Sequence, residues 1–194
     1  MKKLFFVSII AGLMLLGCST SRQVQRIDPG QQMDLSGRWN DTDSKLVAEE
    51  MVKDGLSRVW LTDYIADKGR KPVIIVGFIK NKTHELISSE TFIKDIEREF
   101  INSGKVKVVQ AGAAREELRA ERSDQQDFAS LETMKNWGLE KGADFILQGV
   151  INSIVDTEGK QKVVYYQTDL ELTDLETNEK AWIGTKKIKK LVTN

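Results

Sequence analysis

The sequence predicts an α/β protein: a mixed sheet with helices on its faces and a C-terminal antiparallel three-stranded meander. Three observations predict it. Residues 72–79 form an unbroken apolar run, which marks a central strand covered on both sides. A helical pattern and a second alternating run at 105–110 follow it. That strand–helix–strand order favours a right-handed crossover and a parallel pair. Three long runs at 143–156, 162–173 and 179–191 then close the chain. Their connections at 157–160 and 174–178 are short enough for hairpins.

The chain begins with Lys2 and Lys3, an apolar stretch over 4–16, Gly17 and the single cysteine, Cys18. A membrane span needs roughly 20 apolar residues. A secretory signal core needs only roughly 7–15. Residues 1–17 therefore read as a lipoprotein signal peptide, and Cys18 as the lipid attachment site, bearing palmitate-type acyl chains. Leu16 is large for its place two residues before the cysteine. Without a second cysteine there is no disulfide and no cysteine-based metal site. Ser19 follows the cysteine where an aspartate is absent. By resemblance to enteric-type sorting, this implies the outer membrane, with the chain on its periplasmic face.

Residues 18–33 are polar around Pro29-Gly30 and read as a lipidated tether. Fully extended, residues 19–33 reach at most roughly 50 Å. Residues 34–194 suit a single globular domain with a proper core. Residues 34–40 predict a strand or extended entry. Asp41, Thr42, Asp43 and Ser44 cluster as N-cap residues, ahead of Val47, Ala48, Met51, Val52 and Leu56 at helical spacing. Val59, Trp60 and Leu61 read as no more than a short buried turn.

After the 72–79 strand comes a loop, Asn81 to His84. Ser88 or Ser89 then caps a helix carrying Phe92, Ile93, Ile96 and Phe100 on one side. Gly104, after Asn102 and Ser103, is placed for a left-handed C-cap. Residues 113–122 predict a charged, solvated helix, and the polar residues 123–130 break its pattern. Leu131, Met134, Trp137 and Leu139 predict another helix, ended near Gly142.

No catalytic constellation, cofactor or metal site is expected. His84 is the only histidine and lies in a loop. The carboxylates fall on helices rich in lysine and arginine, where solvated faces explain them. There is no Gly-x-Ser-x-Gly elbow and no glycine-rich phosphate loop. The formal charge is zero, and becomes −2 once Lys2 and Lys3 are removed, which does not suit nucleic acid. No small-molecule substrate is expected. Lys186, Lys187, Lys189 and Lys190 read as an edge strand blunted by lysine, with Asp169 and Glu171 as cross-strand partners. The competing reading is a surface for an anionic partner. Trp60, Trp137 and Trp182 are expected in the core and Trp39 partly exposed. Tyr165 and Tyr166 point to opposite sheet faces.

From Val73 to Leu191 the chain resembles the globular domain of LpoB-like lipoproteins, activators of penicillin-binding-protein peptidoglycan synthases. The resemblance rests on the strand Val73-Ile74-Ile75-Val76, then Asn81-Lys82-Thr83. It continues through the helix from Thr91 to Gly104 with Lys105, and Gly142-Ala143-Asp144-Phe145-Ile146-Leu147. Leu170-Glu171-Leu172, Glu176-Thr177 and Ala181-Trp182 complete it. The same core looks like the amino-terminal domain of TolB and the periplasmic part of curli-secretion lipoproteins. The best-known activators carry a long proline-rich arm, and the tether here is short.

The resemblance implies a non-catalytic envelope lipoprotein that binds and regulates a peptidoglycan synthase or another envelope protein. The alternative is a subunit of an outer-membrane export or assembly complex of the curli-secretion type. Binding residues are sought where an irregular stretch meets a rigid scaffold. Arg115, Arg119 and Arg122 share one helix face, with Gln125 and Gln126 just beyond, where the helical pattern fails. The competing reading is a solvated helix whose arginines pair with Glu116, Glu117 and Glu121.

Overall fold

The computed structural model describes residues 23–130, 132–133 and 140–193. The signal segment, Cys18 and the helix expected around Met134 and Trp137 lie outside these residues. The chain divides into two units, Met1–Gln31 and Gln32–Asn194. In the first, residues 23–31 are exposed and irregular, with a turn at Pro29-Gly30. The Gly30 N–H donates to the Asp28 carboxylate at 2.7 Å.

In the second unit, residues 34–40 bend and form no strand. Gly37 takes φ +66°, and a Cβ there would come within 2.2 Å of Val192, so the chain turns where a strand was expected. Helix α1 spans Asp41–Gly55. Its cap is Asn40, one residue before the predicted cluster. The Asn40 side chain accepts from the Asp43 N–H (3.0 Å), and the Asp43 carboxylate accepts from the Asn40 N–H (2.9 Å). This reciprocal box satisfies two donors that would otherwise be orphaned. The predicted face is buried: Val47, Ala48, Met51, Val52 and, just after the helix, Leu56.

Val59–Lys68 is a helix, α2, where only a turn was expected. It ends at Gly69, φ +63°. Trp60 and Leu61 are buried as predicted, but Val59 is exposed, so the apolar stripe is too narrow to announce a helix. The Trp60 indole donates to the Gly55 carbonyl at 2.7 Å and ties the two helices together.

Strand β1 (Val73–Asn81) is followed by α3 (Ser89–Ser103) and β2 (Lys107–Val109). Ser88 caps α3 by accepting from the Thr91 N–H, and Gly104 ends it at φ +64°. Helix α4 runs Gly112–Phe128, well past Arg122. The polar residues 123–128 therefore do not break it. Serine, aspartate and glutamine cost a solvated helix only tenths of a kcal/mol each. Gln125 also donates to the Glu121 carboxylate one turn back (2.9 Å).

The meander is β3 (Phe145–Glu158), β4 (Gln161–Asp174) and β5 (Lys180–Thr193). The sheet order is β2-β1-β3-β4-β5. β1 is parallel to both its neighbours, and β3, β4 and β5 are antiparallel. α3 packs with α1 over one sheet face. The return from β2 to β3 carries α4.

The core lies between α1, α3 and that first face. Phe92, Ile96, Ile74, Leu147, Ile151, Leu170 and Leu172 are all essentially sealed from solvent. Trp39 is half-buried and meets Phe92 and Tyr166 edge-on, at 6.0 and 5.5 Å. Gly184 gives Trp182 its place: a Cβ there would come within 2.2 Å of the indole. β1 is interior to the sheet, but it is not covered on both sides. Its register shifts between Val76 and Ile79, and Phe78 stands 55% exposed. The two-sided expectation rests on the apolar run alone; the irregularity between Val76 and Ile79 leaves Phe78 of that run facing solvent.

Candidate functional site

The five partner-binding candidates lie on α4. Because the helix continues to Phe128, Gln125 and Gln126 extend the same element as the arginines and are not on a loop. Helix spacing brings Arg119 and Arg122 together, and both reach Glu140 in the segment before β3. Arg122 meets Glu140 at 2.5 Å and Arg119 at 3.2 Å, while Arg119 also bonds Glu116 at 2.6 Å. The Arg119 guanidinium, then Arg122, holds the Glu140 carboxyl below its usual range. Arg115 turns away and donates to the Gln110 carbonyl at 2.9 Å. Gln126 is exposed. Of the three acidic partners expected for the arginines, only Glu116 pairs with one of them among the described residues; Glu140 pairs with two.

A groove joins α4 to the end of β2, lined by Val109, Gln110, Arg115, Leu118 and Arg122, with Glu140 and Lys141 from the segment before β3. α4 buries no residue fully, and Leu118 is 43% exposed. It thus offers arginines already held in place beside a small apolar patch. That arrangement suits carboxylate-bearing protein surfaces.

The lysines of β5 divide by sheet face. Lys186 pairs with Glu50 of α1. Lys190, only 11% exposed in its side chain, bonds Asp43 at 2.7 Å, Asp34 at 2.5 Å and the Arg38 carbonyl at 3.1 Å. Burial works against its charge, but Asp34 and Asp43 outweigh it and raise the ammonium above its ordinary value. Lys187 and Lys189 point to the other face, opposite Gln167 and Tyr165. β5 is an edge strand, as expected. The expected pairing of the run with Asp169 and Glu171 does not form, and register explains why. Asp169 stands opposite Thr185 and accepts its hydroxyl; Glu171 stands opposite Ile183 and pairs with Lys180.

Two polar clamps went unforeseen. Glu85 accepts from the Tyr166 hydroxyl (2.7 Å) and the Trp39 N–H (3.0 Å), so the Asn81–Glu85 loop is tied to the core while His84 stays exposed. Burial, then Glu85, pushes the Tyr166 phenol well above its usual value. Arg70 grips Asp144 with two bonds, 2.8 and 2.7 Å. These pairs span 46 to 81 residues of sequence and leave no local pattern; only the abrupt Gly142-Ala143-Asp144 before a strand marked Asp144.

Burial acts to raise the Asp144 carboxyl, but Arg70, the Val73 N–H and Tyr64 outweigh it and hold it at about 2. A carboxyl depressed in the folded state stabilises above its unfolded value near 3.8 and loses that effect as pH falls toward about 2. The clamp should therefore contribute on the order of 2 kcal/mol at neutral pH. Urea melts between pH 6 and 2 check it. The wild-type stability should fall across that acidic window, and Asp144→Asn should flatten the fall. Parallel pH profiles for the two would contradict the assignment.

Among the described residues, no group of three or more histidine, cysteine, aspartate or glutamate side chains could hold a metal ion. No described helix is long and apolar enough to cross a membrane.

A family model described as peptidoglycan-synthase activator LpoB matches residues 43–188. The chain is also similar to solved structures. The LpoB C-terminal domain from Escherichia coli is 16% identical, with 76% of this chain and 99% of that one covered, at TM-score 0.45. The NMR structure of E. coli LpoB is 15% identical, covering 91% and 83%, at 0.42. The LpoB C-terminal domain from Salmonella enterica is 14% identical, covering 71% and 99%, at 0.36. No curated protein matches the chain by sequence.

Proposed function

The chain belongs to the LpoB family of peptidoglycan-synthase activators, and on that premise we propose that it is a non-catalytic lipoprotein that binds a synthase of the penicillin-binding-protein class and regulates it. The observation that carries this reading is the extent of the family match. It runs from α1 into β5 and so spans the globular unit, not a single motif. Lipid attachment at Cys18 and a place on the periplasmic face of the outer membrane complete the proposal; the basic, apolar, Gly17-Cys18 start of the chain supports them.

The α4 face of Arg115, Arg119, Arg122, Gln125 and Gln126 is the proposed contact. Arginine forks that are already oriented lose less freedom on docking and suit carboxylates on a partner. Glu140 orients two of them, and it also competes for them.

The test uses the full chain as bait in detergent-solubilised envelopes, with captured synthases detected by a fluorescent penicillin. Wild type should retain one. Changing Arg115, Arg119 and Arg122 together to Ala should leave the thermal melt intact and cut capture at least about tenfold, or roughly 1.4 kcal/mol. Capture lost instead in Lys187→Ala with Lys189→Ala would move the contact to the sheet. Absence of any penicillin-labelled band would contradict the proposal.

A further inference from the structure

Where β1, β2 and β3 begin, four cations line one recess of about 260 Å³. They are Arg70, Lys71, Lys107 and Lys141, with Val73 and Gly142 completing the wall. Among the described residues only Arg70 has its charge matched, by Asp144. Lys71 donates to the Gly104 carbonyl at 2.5 Å, which positions the ammonium without neutralising it. Lys107 and Lys141 make no ion pair among the described residues. Glu140, next to Lys141 in sequence, is held by Arg119 and Arg122.

The backbone fixes this convergence. Lys107 opens β2 opposite Val73, and its N–H bonds the Pro72 carbonyl at 2.9 Å. Lys71 sits two residues before Val73, and Lys141 immediately precedes the Gly142 that shapes the wall. Lys141 depresses the Lys107 ammonium below its ordinary value, with Arg70 adding to the effect. Lys107 and Lys141 repel each other in a concave site that Lys71 also lines. An anion with several acceptor oxygens relieves that repulsion and receives charge-assisted hydrogen bonds from each.

We propose that this recess is an oxyanion site that takes a phosphate or diphosphate group. Lysine ammonium groups bind such oxygens as point charges from several directions, and a concave wall concentrates their field. The recess adjoins the α4 groove through Lys141, which lines both, and its anion binding is read without a synthase present.

The experiment is equilibrium dialysis of the full chain, in neutral detergent micelles, against radiolabelled inorganic pyrophosphate. Wild type should bind saturably, one ion per chain. Lys107→Gln with Lys141→Gln should weaken binding at least tenfold while circular dichroism stays unchanged. Lys187→Gln with Lys189→Gln, which removes the same charge from the far sheet face, should leave binding as it was. Competition by phosphatidylglycerol added to the micelles, and none by phosphatidylcholine, would assign the site to a lipid headgroup. Insensitivity to both would assign it to a free phosphate. No saturable binding, or equal loss in both double variants, overturns the proposal.

Discussion

Phe92→Ala should destabilise the globular unit by about 3–5 kcal/mol, the range found when a buried phenylalanine is truncated. Phe92 has no solvent exposure and lies on the inward face of α3 with Ile96 and Phe100. The Trp39 indole meets it edge-on, and Trp39 in turn meets Tyr166. Truncation removes the burial of the ring, leaves a cavity that close-packed neighbours fill only in part, and loosens the Trp39 contact. Domains of this size hold only about 5–15 kcal/mol in all. Urea unfolding decides it: the midpoint should drop sharply with an unchanged slope. A loss under about 1 kcal/mol would mean that Phe92 does not seal the space between α3 and the sheet.

Cys18→Ala should abolish lipidation and remove the chain from the lipid-anchored pool. Each buried methylene of an acyl chain contributes about 0.8 kcal/mol, and stable anchoring takes more than one chain or a second signal. Cys18 is the only thiol, so no other residue can receive a thioether-linked lipid. Fatty-acid labelling and fractionation measure both effects. The variant should lose its label and leave the lipid-anchored pool, either as soluble chain or as precursor with residues 1–17 uncleaved. Continued labelling of the variant would remove the basis for reading residues 1–17 as a lipoprotein signal.

The fold was legible wherever a local pattern met a local rule. Ser88 and Gly104 bracket α3 because a cap and a left-handed stop are written in single residues. The alternation in β4 places Val164, Tyr166, Thr168, Leu170 and Leu172 on the buried side. It failed where tertiary context decides. α2 buries little beyond Trp60 and Leu61, so its ten residues carry almost no periodic signal. α4 continues through 123–128 because nothing there forbids a helix, even though nothing apolar demands one.

The site was less legible still. The spacing of Arg119 and Arg122 foretold a shared face, but Glu140 lies 18 to 21 residues away and meets them only in the fold. The acidic partners proposed for the β5 lysines had the right charge and the wrong register. A shift of two residues along a strand leaves a side chain on the same face but opposite a different partner. The Lys71, Lys107 and Lys141 recess unites three segments whose lysines look unremarkable one at a time.

The measurement that bears most directly on the proposed function is the rate at which a captured penicillin-binding protein polymerises glycan strands with and without this protein. With purified components in detergent, added full chain should raise the rate to a saturating plateau, and the triple arginine-to-alanine variant should need at least about tenfold more protein to reach it. A rate that stays flat at every concentration of a folded chain would contradict a synthase-activating role.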